Sequence, residues 1–268
     1  MLMRAAVIAA LLGLLAACRR ADAPVPANDL KDAAIAPLAS TGEVDAAGLL
    51  VRTGSLTATG GAVGALWGFS DLSVDLRRLR LEVVPAPGGA TLASLLPPGA
   101  LAVVNGGYFE ADFRPSTWLK NAGLELSHKS DTSKGGVLAL SPGSTYVGSF
   151  AGLSFDPELA IQSFPLLVEP DFKPGIHSDD GRRAARTVVC LAGDLLHIVV
   201  LAAPRGEGPT LFETATLMRA TWPAGFGCRV ALNLDGGPST GVVFGPAVPA
   251  KSRLPASKVG YALAVLPR

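Results

Sequence analysis

Apolar residues recur at every second position through much of this chain. From Asp71 to Ala86, DLSVDLRRLRLEVVPA, the series Leu72, Val74, Leu76 is followed by Leu79, Leu81, Val83. A period of two lines one face of a β-strand. GALAVVNGGYF (Gly99 to Phe109) reads as a short buried strand running into a glycine turn. GGVLALS (Gly135 to Ser141), STYVGSF (Ser144 to Phe150) and LLHIVVLAAP (Leu195 to Pro204) read as further strands bounded by Gly, Pro or Asp. One helical pattern stands out over Thr210 to Trp222, with Leu211, Ala215, Met218 and Trp222 on one face and Pro209 and Pro223 as punctuation. Long strands with few helices and no βαβ alternation predict an α+β fold: a large mixed or antiparallel sheet with a few packed helices, in one domain.

The N-terminus follows another pattern. After Arg4, an apolar run of about 13 residues (Ala5 to Ala17) ends at Cys18. That is short for a membrane-spanning helix and suits a signal peptide over residues 1–17. Leu15-Ala16-Ala17-Cys18 fits a lipobox, which makes Cys18 the lipidated first residue of the mature chain. Residues 18–48, rich in Ala, Pro and Asp, lack apolar periodicity and read as a flexible tether. The folded domain is therefore expected over 49–268, exported and lipid-anchored in a bacterial envelope, with the periplasmic face of an outer membrane as an extension.

Charge removes one class of partner. The chain holds 23 basic and 22 acidic residues; losing Arg4 with the leader leaves 22 against 22. A neutral protein without a basic tract does not suit nucleic acid. With 49% hydrophobic and 17% charged residues, a large core is within reach. Cys190 and Cys228, an even pair in an oxidising compartment, are candidates for a disulfide, with two buried thiols as the other reading. His128, His177 and His197 are scattered, and no Cys/His spacing resembles a zinc site. Nothing in the sequence calls for a cofactor, and it leaves metal dependence open.

Chemistry concentrates in two related stretches, VVNGGYF (Val103 to Phe109) and LNLDGGPST (Leu232 to Thr240). Each ends a strand in a polar residue followed by Gly-Gly. Asn-Gly and Asp-Gly are strong hairpin dipeptides, so either could be a plain turn. A glycine pair also lets backbone approach a ligand closely, and Ser239 and Thr240 add hydroxyls beside Asp235. The two turns are expected to open on the same edge of one sheet.

These residues resemble the signature segments of the phosphodiester glycosidases, the family of the mannose 6-phosphate uncovering enzyme. IQSFPLLVEP (Ile161 to Pro170), RRAARTVVCLAGDLLHIVV (Arg182 to Val200) and TLFETATLM (Thr210 to Met218) are similar to further family segments, in the family's order. The resemblance implies cleavage of a sugar-1-phosphodiester to a free sugar and a phosphomonoester, and a sugar-phosphate or glycan as ligand. It implies Asp235 as a catalytic carboxylate and Arg186 as the phosphate partner. Glu213 is either a second acid or a helix anchor. Asn105, Gly106, Gly107, Asn233, Gly236, Gly237, Ser239 and Thr240 would complete a substrate-binding set with Arg186. Pro238 and Phe164 depart from the family, standing where it carries glycine. The polar stretch Glu110 to Lys134 reads as a surface loop or as a lid with Trp118 as a sugar platform, and Arg182-Arg183 as a solvated pair or an enlarged anion site. A noncatalytic envelope lipoprotein that binds glycan or a phosphate-rich polymer is the competing function. Cleavage of the other P–O bond is a third.

Overall fold

A computed structural model describes residues 38–57, 66–133, 135–203 and 207–268. The signal segment, the lipobox cysteine and most of the tether lie outside these. Three antiparallel sheets make up the described fold. The largest has the order β1 (Ala39–Ala46), β2 (Leu49–Thr57), β3 (Leu66–Val74), β14 (Leu195–Ala202), β13 (Arg186–Ala192), β15 (Val230–Asn233), β11 (Leu166–Glu169), β12 (Lys173–Pro174). A five-stranded sheet runs β7 (Leu124–Ser127), β6 (Leu119–Asn121), β10 (Leu159–Ser163), β8 (Gly136–Ser141), β9 (Ser144–Gly148). A four-stranded sheet runs β16 (Val242–Phe244), β5 (Ala102–Asn105), β17 (Val259–Pro267), β4 (Leu79–Ala90).

Strand alternation explains how the sheets stack. Leu72 and Ile198 of the large sheet, Ile161 and Leu138 of the second, and Val104 and Leu263 of the third all belong to one buried cluster. Their alternate neighbours face outward. On the large sheet, Phe69, Val188, Cys190 and Val199 pack against Ala215, Leu217 and Met218 of α1 (Leu211–Arg219). On the four-stranded sheet, Val103, Ala262 and Ala264 pack on the short 3₁₀ turn Leu92–Leu95.

The architecture is thus mostly β, not an α+β arrangement with several helices. Among the described residues α1 is the sole α-helix, because sheets rather than helices cover the main core. The alternating run from Leu72 to Val83 is also two strands in two sheets. Asp75 breaks it: its carboxylate accepts from the Arg77 backbone at 3.0 Å, and its carbonyl accepts from the Arg78 and Leu79 amides, a side-chain-stabilised turn. The helix stops at Arg219, short of Trp222, and Trp222 is 44% exposed. Order also begins before Leu49: Ala39–Ala46, assigned above to the tether, forms the edge strand β1 against β2.

The described part of the stretch from Glu110, residues 110–133, is not a plain surface loop, and Trp118 is not an exposed platform. That part holds β6 and β7, and Trp118 is 3% exposed in a cluster with Val137, Ala139 and Ala160, with the Lys129 ammonium 4.3 Å from its ring centre. No helix among the described residues is long and apolar enough to cross a membrane.

Candidate functional site

Three strand ends meet where the four-stranded and large sheets touch. β15 runs out at Asn233 opposite Val188, so the start of β13 lies beside the end of β15. β5 arrives from the other sheet and ends at Asn105. The two Gly-Gly turns therefore open on two sheets, not on one edge of a single sheet. Hydrogen bonds lace them together. The Asn105 amide nitrogen donates to the Asp235 carbonyl at 2.8 Å, and its oxygen accepts from the Thr187 hydroxyl at 2.7 Å and the Gly241 amide at 3.1 Å. The Asp235 amide donates to the Gly106 carbonyl at 3.3 Å and the Gly237 amide to the Ala185 carbonyl at 2.7 Å. Asn105 spends its amide on the protein, so it builds the junction.

The glycines are required by space. A Cβ on Gly106 would stand 2.2 Å from the Tyr261 ring, and one on Gly107 2.6 Å from the Tyr261 hydroxyl. At Gly236 it would come 2.8 Å from the Ala185 carbonyl, with the Arg186 guanidinium 3.9 Å away. Only Gly237 needs glycine for its backbone angle, with φ +59°.

Beside the Tyr261 phenol, a carboxyl, a guanidinium and a second phenol project into this junction. Burial raises the Asp235 pKa above the ordinary carboxylate value, opposed by hydrogen bonds from the Ser239 hydroxyl and the Gly236 amide; the latter is 2.8 Å long. Arg186 is held by two carbonyls, Pro209 at 3.1 Å from Nε and Arg182 at 2.9 Å from Nη2. Its desolvation lowers its pKa. Tyr108 senses both charges. Burial first, and the Asp235 charge second, push its phenol up to about 12, while Arg186 opposes the rise. The phenol donates to the Phe164 carbonyl at 3.0 Å and accepts from the Asn233 amide at 3.0 Å. Asn233 Oδ1 and Thr240 Oγ1 are buried without a protein partner, two polar atoms with hydrogen-bonding capacity to spare.

Glu213 does something else. With Thr210 it forms a capping box at the start of α1, and it holds Arg183 in a two-pronged pair at 2.8 and 3.0 Å. Arg183 also lies over the Trp67 ring, while Arg182 is exposed near Asp180. Cys190 and Cys228 are joined, with Cα atoms 5.8 Å apart, tying β13 to the chain that leads from α1 into β15. His197 is buried against Asp71 at 2.8 Å and Ser73 at 3.2 Å, on the large sheet. Among the described residues no group of three His, Cys, Asp or Glu could hold a metal ion. Tyr108, Thr187 and Tyr261 are site residues that sequence reasoning missed. Tyr108 carried a signal, since it follows directly on Gly106-Gly107; Tyr261, some 150 positions away, carried none.

A half-buried acid, a fixed guanidinium and a neutral phenol at a glycine-lined sheet junction suit a protein that holds an anionic, oxygen-rich ligand. Residues 98–266 match the phosphodiester glycosidase family, and the chain belongs to it; the family is one of hydrolases. Among solved structures, the chain is similar to the catalytic domain of zebrafish N-acetylglucosamine-1-phosphodiester α-N-acetylglucosaminidase, auto-inhibited by its pro-peptide. The identity is 16% and the TM-score 0.65, over 86% of this chain and 87% of that one. A hypothetical protein from Synechocystis aligns at 15% identity and TM-score 0.62, over 82% of this chain but 62% of the other, so this chain spans less than two thirds of that protein. At these identities the likeness is one of fold. No curated protein matches.

Proposed function

We propose that this protein hydrolyses a sugar-1-phosphodiester, breaking the bond between the anomeric carbon and the phosphate oxygen. Water adds to the anomeric carbon and loses a proton; the bonding electrons leave with the phosphate, giving free sugar and a phosphomonoester. The observation that carries the reading is Asp235, a half-buried carboxyl on a glycine turn with Arg186 close behind that turn. A carboxylate poorly solvated in the free protein gains most when positive charge grows beside it, as it does at an oxocarbenium-like centre. Arg186, its Nε and Nη2 already pinned, is preorganised for the phosphate oxygens. Tyr108 stays protonated at neutral pH, and its phenol, which donates to the Phe164 carbonyl, adds no second negative charge beside Asp235. A phosphate needs little help to leave, so one carboxyl suffices, and Glu213, engaged at both oxygens, is assigned no chemical step.

The test is turnover of a panel of sugar-1-phosphodiesters by the soluble domain in ¹⁸O-water. Label in the sugar is expected; label in the phosphate would mean that the P–O bond is cut, and no turnover of any diester would remove the reading. We also propose that the protein is exported and tethered through lipid on Cys18. Cys18→Ala should release it from membranes or block processing, and unchanged membrane retention would refute the anchor.

A further inference from the structure

The site has an apolar wall that the chemistry above leaves unused. Phe164 follows β10, and its ring stacks on Tyr108 with centroids 4.4 Å apart and planes 20° from parallel. Tyr108 is in turn the residue that feels both Asp235 and Arg186. Phe164 is nonetheless 45% exposed, in a chain where most large apolar side chains are buried. Its backbone is fixed tightly. The carbonyl accepts from both the Tyr108 phenol and the Asn233 amide, at 3.0 and 3.2 Å. Gly135 also lies so close that a Cβ there would stand 2.6 Å from the Phe164 Cβ. A large ring that is half in water, stacked on one face and carried on a backbone fixed by hydrogen bonds, is preorganised to receive something.

Resting on the function proposed above, we infer that the outward face of Phe164 is the platform on which the pyranose ring of the substrate lies. The two ends of a sugar phosphate differ in what they can use. A phosphate gains nothing from a neutral aromatic face and is served by Arg186. A pyranose offers a face of C–H bonds, which an aromatic ring can cover while the hydroxyls at its rim stay hydrogen-bonded. Stacking on Tyr108 shields one face of Phe164 and leaves the other for the ligand. Phe164 is thus a specificity residue for the sugar and not a catalytic one.

Binding can be read without turnover. Methyl α-glucopyranoside, methyl α-mannopyranoside and inorganic phosphate would each be titrated into the detergent-solubilised protein, its Phe164→Ala variant and its Phe164→Trp variant. In Phe164→Ala the affinity for at least one hexopyranoside should fall about threefold to tenfold, with phosphate affinity within twofold of wild type. Phe164→Trp should keep the sugar affinity. Equal hexopyranoside binding by wild type and Phe164→Ala would overturn the inference, as would failure of the wild type to bind either hexopyranoside. A parallel loss of phosphate affinity would also overturn it, since Phe164 would then act only by holding Tyr108. If sugar binding depends on Phe164 but no diester is cleaved, the platform stands and the hydrolytic reading falls.

Discussion

Replacing Glu213 distinguishes an acid that works in the reaction from one that works in the fold. Its carboxylate accepts from the Thr210 backbone at 2.9 Å and from both terminal nitrogens of Arg183, while its own amide donates to the Thr210 hydroxyl at 3.2 Å. Glu213→Ala removes the carboxylate half of the capping box, worth up to about 1 kcal/mol on the usual scale for caps. The ion pair adds less than about 1 kcal/mol, because the Arg183 side chain is 44% exposed and solvent screens it; Arg183 also keeps its place over Trp67. Together these give at most about 2 kcal/mol, or a melting temperature lower by no more than roughly 4–8 °C for a domain of this size. Glu213→Gln keeps an acceptor for the Thr210 amide and should lose less. The assay pairs thermal unfolding with turnover per folded molecule on whichever sugar-1-phosphodiester the wild type cleaves. Both variants should retain most of the wild-type kcat. A Glu213→Gln variant that melts like the wild type but turns over less than a hundredth as fast would show a proton-transferring acid and refute the reasoning.

Asp235→Asn should abolish turnover and raise the melting temperature at neutral pH. The folded-state pKa of Asp235 is raised, so its contribution to stability is present below the unfolded pKa and lost as pH rises through the folded value; the variant's advantage should vanish in acid. A variant that melts lower at neutral pH would contradict this. Arg186→Lys should weaken turnover less than loss of the charge, because charge remains but the fixed fork between the Pro209 and Arg182 carbonyls does not; equal activity of Arg186→Lys and wild type would discount the phosphate role. Reducing Cys190–Cys228, which closes a loop of sequence separation 38, should destabilise the fold by up to about 4 kcal/mol, read as a lower denaturation midpoint in reductant.

Strands were the legible part of the sequence. Short apolar runs bracketed by Gly, Pro or Asp located β8, β9 and β14 within a few residues. Alternation says nothing about which sheet a strand joins, and Leu72 and Leu79, seven positions apart, lie in different sheets because one Asp-centred turn reverses the chain. Thr210-x-x-Glu213 ahead of an apolar run is itself a capping-box pattern, so the anchoring role of Glu213 was readable. The place of Asn105 was not: its partners at Thr187 and at Asp235 and Gly241 come from two distant segments, and the pairing of β16 with β5 together with the packing of two sheets brings them to it. Phe164 could be noticed as a departure, but its contact with Tyr108 depends on β10 delivering it beside the end of β5.

The paired Gly-Gly turns follow from that packing. Two sheets can meet edge to end only where side chains are missing, and here the space is claimed by the Tyr261 ring on one side and by the Ala185 carbonyl and Arg186 on the other. Backbone freed of side chains can hydrogen-bond across the gap, and the Asp235–Gly106 contact does so, while Gly237–Ala185 extends the β13–β15 pairing beside it. The same close approach partly desolvates the carboxyl at the junction, and that burial is what raises the Asp235 pKa. A junction built for packing alone would put an apolar residue at 235. An acid there costs stability at neutral pH, and under the proposed hydrolysis the positive charge developing at the anomeric carbon would offset that cost.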